Sequence, residues 1–236
     1  MIQIQNLNKR FGKNQVLLDL NLQLEQGGIT AILGPNGSGK TTLIKSILGM
    51  VQPNSGEIII NDKSISRAFI YRKQIDYLPQ LANFPNNLRL REMLHMIKDL
   101  RNEPIYRDAE LIKLFQLEPH LNKKLGQLSG GTRQKVNLTL SFMSDSPLII
   151  LDEPTSGLDP VSLIKLKELL ISEKRAGKTI LLSSHITSFV EEMADQIVFL
   201  LEGKIYFKGT IEQLKTESNT TNFEQAIAWV LNQQNV

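Results

Sequence analysis

One run of eight residues restricts this chain more than any other: Gly34-Pro35-Asn36-Gly37-Ser38-Gly39-Lys40-Thr41. It fits the pattern G-x-x-x-x-G-K-[ST]. Its flanks fit as well. The apolar run Ile29–Leu33 reads as a strand entering it, and residues 40–50 read as a helix leaving it. Glycines let the backbone curl so that successive N–H groups face inward around an anion. The start of the helix adds the positive end of its dipole. At this spacing Lys40 reaches the outer oxygens of a bound polyphosphate, and the Thr41 hydroxyl is placed to ligate Mg²⁺. A strand–loop–helix unit of this kind implies an α/β core.

Two more apolar runs end in reactive side chains. Leu148–Leu151 leads into Asp152-Glu153, and Thr179–Ser183 leads into Ser184-His185. Both runs are continuous rather than alternating, as expected of parallel strands buried on both faces. Carboxylates at the end of a buried strand are costly unless used, and ligands of open α/β sheets sit outside such ends. Read alone, the acidic pair equally fits an exposed turn. Beside the glycine loop, Asp152 is expected to hold Mg²⁺ and Glu153 to polarise an attacking water as general base. His185 is expected to donate to the γ-phosphate or to hold that water. His95 and His120 have no such context and read as surface or packing residues.

The rest of the chain supplies the frame. Ile2–Ile4 reads as a strand, and Val16–Leu24 as a half-buried one with Leu18, Leu20, Leu22 and Leu24 inward. Glu57–Ile60 and Ile75–Leu78 are further β-like runs. After Gln80 the periodicity changes. Leu90, Met93, Leu94 and Ile97 mark one helical face and Leu111, Leu114 and Phe115 another, so residues 85–145 read as mostly helical. Ile197–Leu201 and Lys204–Phe207 flank Glu202-Gly203 as a hairpin. Phe223, Ile227, Val230 and Leu231 mark a last amphipathic helix, with Asn222 as N-cap and Gln225 three residues on.

Composition removes several function classes. With 236 residues the chain forms one large domain or two small ones, and 41% hydrophobic with 22% charged residues is ordinary for a globular protein. The 27 basic and 24 acidic residues leave a net charge of only +3, without a Lys/Arg block, so nucleic acid is not expected as a partner. The absence of Cys excludes disulfides, thiolate metal sites and Cys nucleophiles, and fits a cytosolic protein. No run approaches the roughly 18 apolar residues of a membrane helix. The start, MIQIQNLNKRF, does not read as a signal peptide.

A second glycine motif, Leu128-Ser129-Gly130-Gly131, precedes a helix carrying Val136, Leu140 and Met143. In isolation it is equally a helix-start turn or an anion site. Taken in order, these motifs resemble the nucleotide-binding subunit of ATP-binding cassette (ABC) transporters over nearly the whole chain. The resemblance implies an α/β P-loop NTPase: a RecA-like core with an N-terminal antiparallel β subdomain and an inserted α-helical subdomain. It implies one ATPase domain over 1–236, with 1–84 and 146–215 as core and β subdomain. Residues 85–145 would be the helical subdomain and 216–236 a C-terminal helix. Gly34–Thr42, closing with Thr42, matches Walker A. Leu148–Asp152 matches Walker B, with Glu153 catalytic. Leu128–Thr132 matches the signature motif, although Thr132 stands where Gln is usual. Gln80 matches the Q-loop residue that senses Mg²⁺ and the γ-phosphate. Ser156–Asp159 matches the D-loop, so that Asp159 joins the nucleotide site, and His185 matches the switch histidine. Phe11 stands where an aromatic, usually Tyr, stacks on adenine.

ATP and Mg²⁺ are thus the implied cofactors. A second ATPase subunit, most simply another copy, would sandwich two ATP, each signature motif capping the other subunit's nucleotide. An integral membrane permease in a separate chain would engage the Q-loop and the helical insertion, with Phe84–Asn87 and the Arg89, Arg91, Glu92 cluster as its contact surface. The subunit would then sit on the cytoplasmic face of the membrane without inserting. The strings Tyr77–Gln80, Phe84–Leu88 and Leu128–Asn137 further resemble the ATPase of the copper-processing transporter that matures nitrous oxide reductase. The alternatives are a drug or lipid exporter and a soluble ATPase of the iron–sulfur assembly type. The stretch from Gln80 to Ser129 is too short for the coiled coil of a DNA-organising ABC protein. A P-loop kinase or GTPase would lack the Leu128–Gly131 and Ser156–Asp159 motifs.

Overall fold

Strands that must satisfy two buried faces settle side by side in the middle of the molecule. The structure, a computed structural model, describes residues 2–66, 69–81, 83–102 and 106–232. In chain order the elements begin with β1 (Ile2–Phe11), β2 (Asn14–Leu24), β3 (Gly28–Leu33), α1 (Lys40–Ile47), β4 (Ser55–Ile60), β5 (Lys63–Ser64) and β6 (Ile75–Leu78). Then come α2 (Leu90–Arg101), α3 (Asp108–Leu114), α4 (Gly130–Phe142), β7 (Leu148–Asp152), α5 (Pro160–Arg175), β8 (Thr179–Ser183) and α6 (Thr187–Met193). The chain closes with β9 (Gln196–Leu201), β10 (Lys204–Gly209), α7 (Ile211–Glu217) and α8 (Phe223–Asn232). One sheet is antiparallel, in the order β2-β1-β4-β5; the other runs β10-β9-β3-β8-β7-β6 and is parallel from β9 to β6.

Register decides where the chemistry collects. Ile32 and Asp152 both pair with Ser183, and Leu78 pairs with Leu151. The carboxyl ends of β3, β8, β7 and β6 therefore lie abreast, and the glycine loop, Ser184-His185, Glu153 and Gln80 leave the sheet at the same edge. Alternate residues of each strand face opposite cores. Ile149, Leu151, Ile180 and Leu182 pack with the helices, while Ile150, Leu181 and Ile32 pack with α1 and the antiparallel sheet. Leu90, Leu111, Phe115, Val136 and Phe142 of the 85–145 stretch join the first of these clusters. Each fully buried side chain of this size contributes about 1.5–3 kcal/mol. The expected α/β core with an antiparallel sheet and inserted helices is what forms.

Three local expectations change. In β2 it is Leu17 that is buried and Leu18 that is exposed. A bulge at Asp19, with φ 44°, shifts the pairing with β1 between Leu7 and Lys9 and inverts the phase. Among the described residues, the 85–145 stretch holds three α-helices, with short 3₁₀ turns at Glu118–His120 and Leu125–Gln127 between α3 and α4, less helix than its periodicity suggested. The expected last helix is α8, and a further short helix that the sequence did not mark, α7, precedes it. Asn222 does cap the last of them, its Oδ1 accepting from Gln225 N at 3.0 Å. The Gln225 side chain meets the Thr220 hydroxyl instead of closing a capping box.

At the opposite end of β6, Asp76 is 1% exposed. Its carboxylate accepts from Ser146 Oγ at 3.0 Å and pairs with Arg101 at 2.9 Å. Burial outweighs these partners and pushes its pKa up to about 6. The folded state then binds more protons than the unfolded state between about pH 4 and pH 6, so this group's contribution to stability falls as pH rises through that window. A shift of about two units corresponds to ~3 kcal/mol. Asp76→Asn is expected to flatten that fall, measured as urea midpoints at pH 4 and pH 7. Equal slopes in both proteins would remove Asp76 as its origin.

Candidate active site

The loop after β3 needs glycine for two reasons. Gly34 has φ 146°, and a Cβ there would lie 2.0 Å from the Leu200 carbonyl oxygen. Gly39, with φ 108°, stands immediately before α1, where a Cβ would meet Val16 O at 2.8 Å. Lys40 therefore begins α1 with its side chain folded back over the loop. Its Nζ donates to Gly34 O at 2.7 Å and Pro35 O at 3.1 Å. Burial holds its pKa below the usual lysine range, against the opposing pull of Glu153 and Asp152.

At the end of β7, Asp152 Oδ1 accepts from Ser183 Oγ at 2.6 Å and from Thr41 Oγ1 at 3.4 Å. Its Oδ2 is buried with no hydrogen-bond partner. A buried carboxylate oxygen left open beside a threonine hydroxyl has the hard-oxygen chemistry that Mg²⁺ takes. Glu153 is 5% exposed and holds a left-handed backbone, φ 53°. Such strain in a non-glycine residue is characteristic of functional positions. The Ser183 hydroxyl, which donates to Asp152, accepts from Glu153 N at 3.1 Å and so joins the two acidic residues. His185 Nδ1 lies 2.8 Å from Glu153 Oε2.

These elements enclose a cleft of about 500 Å³ lined by Phe11, Asn14, Val16, Asn36, Gly37, Gly39, Lys40, Thr41, Thr42, Gln80, Asp152 and Glu153. Phe11 is 50% exposed, with Lys9 Nζ 4.7 Å from its ring centroid. The ring offers a flat surface at the cleft and a cation–π contact to Lys9. Gly34 and Pro35 serve through the carbonyls that hold Lys40. Ser38 carries a buried hydroxyl with no protein partner.

Besides Gly34, Pro35, Ser38 and His185, the candidates Ser129, Gly130, Gly131 and Asp159 lie outside this lining. Ser129 caps α4, accepting from Thr132 N at 3.3 Å, and its hydroxyl meets that of Thr132 at 2.8 Å. Ser129 and Gly130 are exposed. Asp159 caps α5 through Ser162 N at 2.8 Å and pairs with Lys135 at 2.8 Å. The Lys135 ammonium, with the Ser162 donors, holds its carboxyl well below the usual range. His185 is not itself part of the lining and meets the cleft through Glu153. His95 is exposed, and His120 buries an unpartnered Nδ1, as a packing residue does.

Sequence reasoning missed Ser183, whose hydroxyl links Asp152 to Glu153, and, among the buried polar residues of α4, Gln134, Asn137 and Ser141, which bond outside the helix. No local pattern marks them, because their partners lie on or just beyond strands distant in sequence.

Comparison with known proteins agrees with this geometry. The family model for ABC transporters matches residues 17–156. The chain is 35% identical over 205 residues to the lantibiotic transport ATP-binding protein SrtF of Streptococcus pyogenes, spanning 87% of this chain and 89% of that one. It is 31% identical over 226 residues to the L-cystine import ATP-binding protein TcyN of Bacillus subtilis, spanning 91% and 87%. It is 32% identical over 213 residues to the Nod factor export ATP-binding protein I of Burkholderia lata, spanning 88% and 70%. Among solved structures, an ATP-binding subunit of an ABC transporter superposes with a TM-score of 0.90 at 29% identity, over 98% of this chain and 99% of that one. A dimeric, post-hydrolysis ATP-binding cassette bound to ADP and Pi superposes with a TM-score of 0.76 at 25% identity, over 89% and 98%. The glycine loop, the acidic strand end beside it and these likenesses converge: the chain belongs to the ABC transporter family, as one of its ATP-hydrolysing cassettes.

Proposed function

We propose that this chain is the motor subunit of a membrane transport complex, with two copies closing on two ATP and driving a separately encoded permease. One observation carries the reading: Lys40, Asp152, Glu153 and Gln80 line one cleft, while Ser129 and Gly130 stand exposed outside it. A site divided in this way is complete when a second copy brings its own α4 start to the cleft.

In this reading Phe11 stacks on the base, and the Gly34–Gly39 loop with Lys40, Thr41 and Thr42 takes the phosphates. Thr41, Gln80 and the open Oδ2 of Asp152 would hold Mg²⁺, whose chemistry there would be to neutralise charge on the phosphate oxygens. Glu153 accepts a proton from water as the water oxygen bonds to the γ-phosphorus and the bond to ADP breaks. His185 anchors the Glu153 carboxylate. Ser129, Gly130 and Gly131 cap the γ-phosphate bound by the partner, and Asp159 shapes the neighbouring turn through Ser162 and Lys135. The chain works as one ATPase domain, the 85–145 stretch forming its helical subdomain.

No helix among the described residues is long and apolar enough to cross a membrane. Attachment to the cytoplasmic face then runs through the permease, at the surface that begins with Leu81, which is 80% exposed beside Gln80. Arg91 is exposed there too. Arg89 and Glu92 are instead committed to the start of α2, where Arg89 N donates to Glu92 at 2.8 Å. Phe84 packs against the core. The narrower reading, a copper-processing system for nitrous oxide reductase, rests on the sequence strings alone. Relatives named for lantibiotic, L-cystine and Nod factor transport support the general motor and leave the cargo to the partner chains.

The test is an affinity capture of tagged Glu153→Gln protein with Mg-ATP from solubilised native membranes, read by mass spectrometry. A multi-helix permease is the expected result. Co-capture of a copper or reductase-maturation protein would support the narrower reading, and a permease without one would leave the general motor. Soluble partners with no membrane chain would overturn the transport role.

A further inference from the structure

Helix α4 carries a row of polar side chains on its inward face. Gln134, Asn137 and Ser141 are 8%, 3% and 4% exposed. Their i, i+3, i+7 spacing sets them on one side of the helix. A buried amide without a partner is costly, and each of these finds a main-chain carbonyl at or beyond a strand end. Ser141 Oγ lies 3.0 Å from Tyr77 O and 2.8 Å from Asn137 O in its own helix, so its one proton is shared between them, while Asn137 Nδ2 donates to Pro79 O at 3.0 Å and Gln134 Nε2 to Pro154 O at 3.2 Å.

The middle contact stands apart. The pairing of β6 with β7 ends at Leu78, so the sheet ladder no longer holds the chain at Pro79. The Pro79 carbonyl belongs to the same rigid peptide plane as Gln80 N and Cα. Whatever fixes that oxygen fixes the plane from which the Gln80 side chain departs. Proline contributes no N–H of its own, and the donor that meets this carbonyl is the Asn137 amide.

We propose that Asn137 is a positioning residue for Gln80: its amide sets the Pro79–Gln80 peptide so that the Gln80 side chain is delivered into the cleft. The assignment rests on the reading of Gln80 as a ligand of the Mg-ATP site. It also makes α4 a common support. The helix that opens at Ser129 holds the Gln80 peptide at Asn137 and the turn after Glu153 at Gln134.

Asn137→Asp tests this, because an ionised carboxylate has nearly the shape of the amide but no donor. ATP turnover, KM for Mg-ATP and half-saturation by Mg²⁺ are compared for Asn137→Asp, Ser141→Ala, Gln80→Ala and the double Gln80→Ala/Asn137→Asp, in the assembly that hydrolyses ATP. A misplacement of about 1 Å at a reacting site costs up to ~100-fold. Asn137→Asp is accordingly expected to lower kcat about 10-fold and to raise the Mg²⁺ requirement, with KM within about 2-fold. Ser141→Ala, which loosens the same helix–strand seam two residues earlier on the strand, is expected to lower the melting temperature and leave kcat within about 2-fold. The double variant should be no slower than Gln80→Ala, since the placement of an absent side chain has no effect.

Unchanged kcat in Asn137→Asp, an equal loss in Ser141→Ala, or additive losses in the double variant would overturn the proposal while leaving Gln80 in its role. A silent Gln80→Ala would instead overturn the reading of Gln80, and this proposal with it. Should Asn137→Asp fail to fold, Asn137→Ser, too short to reach Pro79, takes its place with the same expectations.

Discussion

Lys40→Ala is expected to abolish ATP turnover, with a loss of at least about 100-fold, the scale seen when a preorganised charged donor is taken from a phosphoryl-transfer or oxyanion site. The Lys40 ammonium is already committed within the loop. It is nearly buried, it bridges Gly34 O and Pro35 O, and Glu153 and Asp152 stabilise its charge. Alanine removes the ammonium from Gly34 O, leaves Pro35 O only its bond from Ser38 N, and removes the positive charge that faces the acidic pair. Titration with Mg-ATP and a phosphate-release assay measure the effect. Turnover at the unmodified rate would separate the glycine loop from the chemistry altogether.

Glu153→Gln is expected to slow hydrolysis by about 100- to 10,000-fold, the range associated with a positioned general base, while leaving nucleotide binding intact. The amide keeps the size of the carboxylate and can still meet His185, so the left-handed turn after β7 has no new reason to rearrange. What it loses is the capacity to take a proton. ATP then persists between two copies, and light scattering should show a dimer that builds up with Mg-ATP and is absent without it. A variant that stays monomeric at saturating Mg-ATP would count against the shared site built from Ser129 and Gly130.

The parts of the fold legible in the sequence are those whose burial is fully determined by the strand itself. Leu148–Leu151 and Ile180–Leu182 are apolar at every position because both faces of the sheet are covered there. The glycine loop is legible because Gly34 and Gly39 occupy backbone conformations that side chains would obstruct. Leu17 was illegible: its burial follows from a bulge at Asp19 that exists only in the pairing of β2 with β1. Gln134, Asn137 and Ser141 were illegible for a related reason. Apolar periodicity marks a buried helix face, and a polar row on such a face is meaningful only once the carbonyls it meets are known. Ser183 stands two residues before the expected histidine, yet nothing local distinguishes its hydroxyl from that of Ser184. Among the site residues, the sequence pattern singled out those in the cleft but could not show that Ser129 and Asp159 lie outside its lining.

The posture of Lys40 carries a consequence for how an anion is captured. An exposed lysine gives up on the order of 2 kcal/mol of rotamer freedom when it closes on a ligand. Here the loop carbonyls have already confined the side chain. An arriving phosphate therefore competes for an ammonium that is preorganised and committed, exchanging acceptors without first having to order the chain. Affinity becomes the difference between two sets of contacts, so weak anions have little to gain over the loop's own oxygens. A polyphosphate, able to replace both carbonyls and engage the helix start at once, gains most.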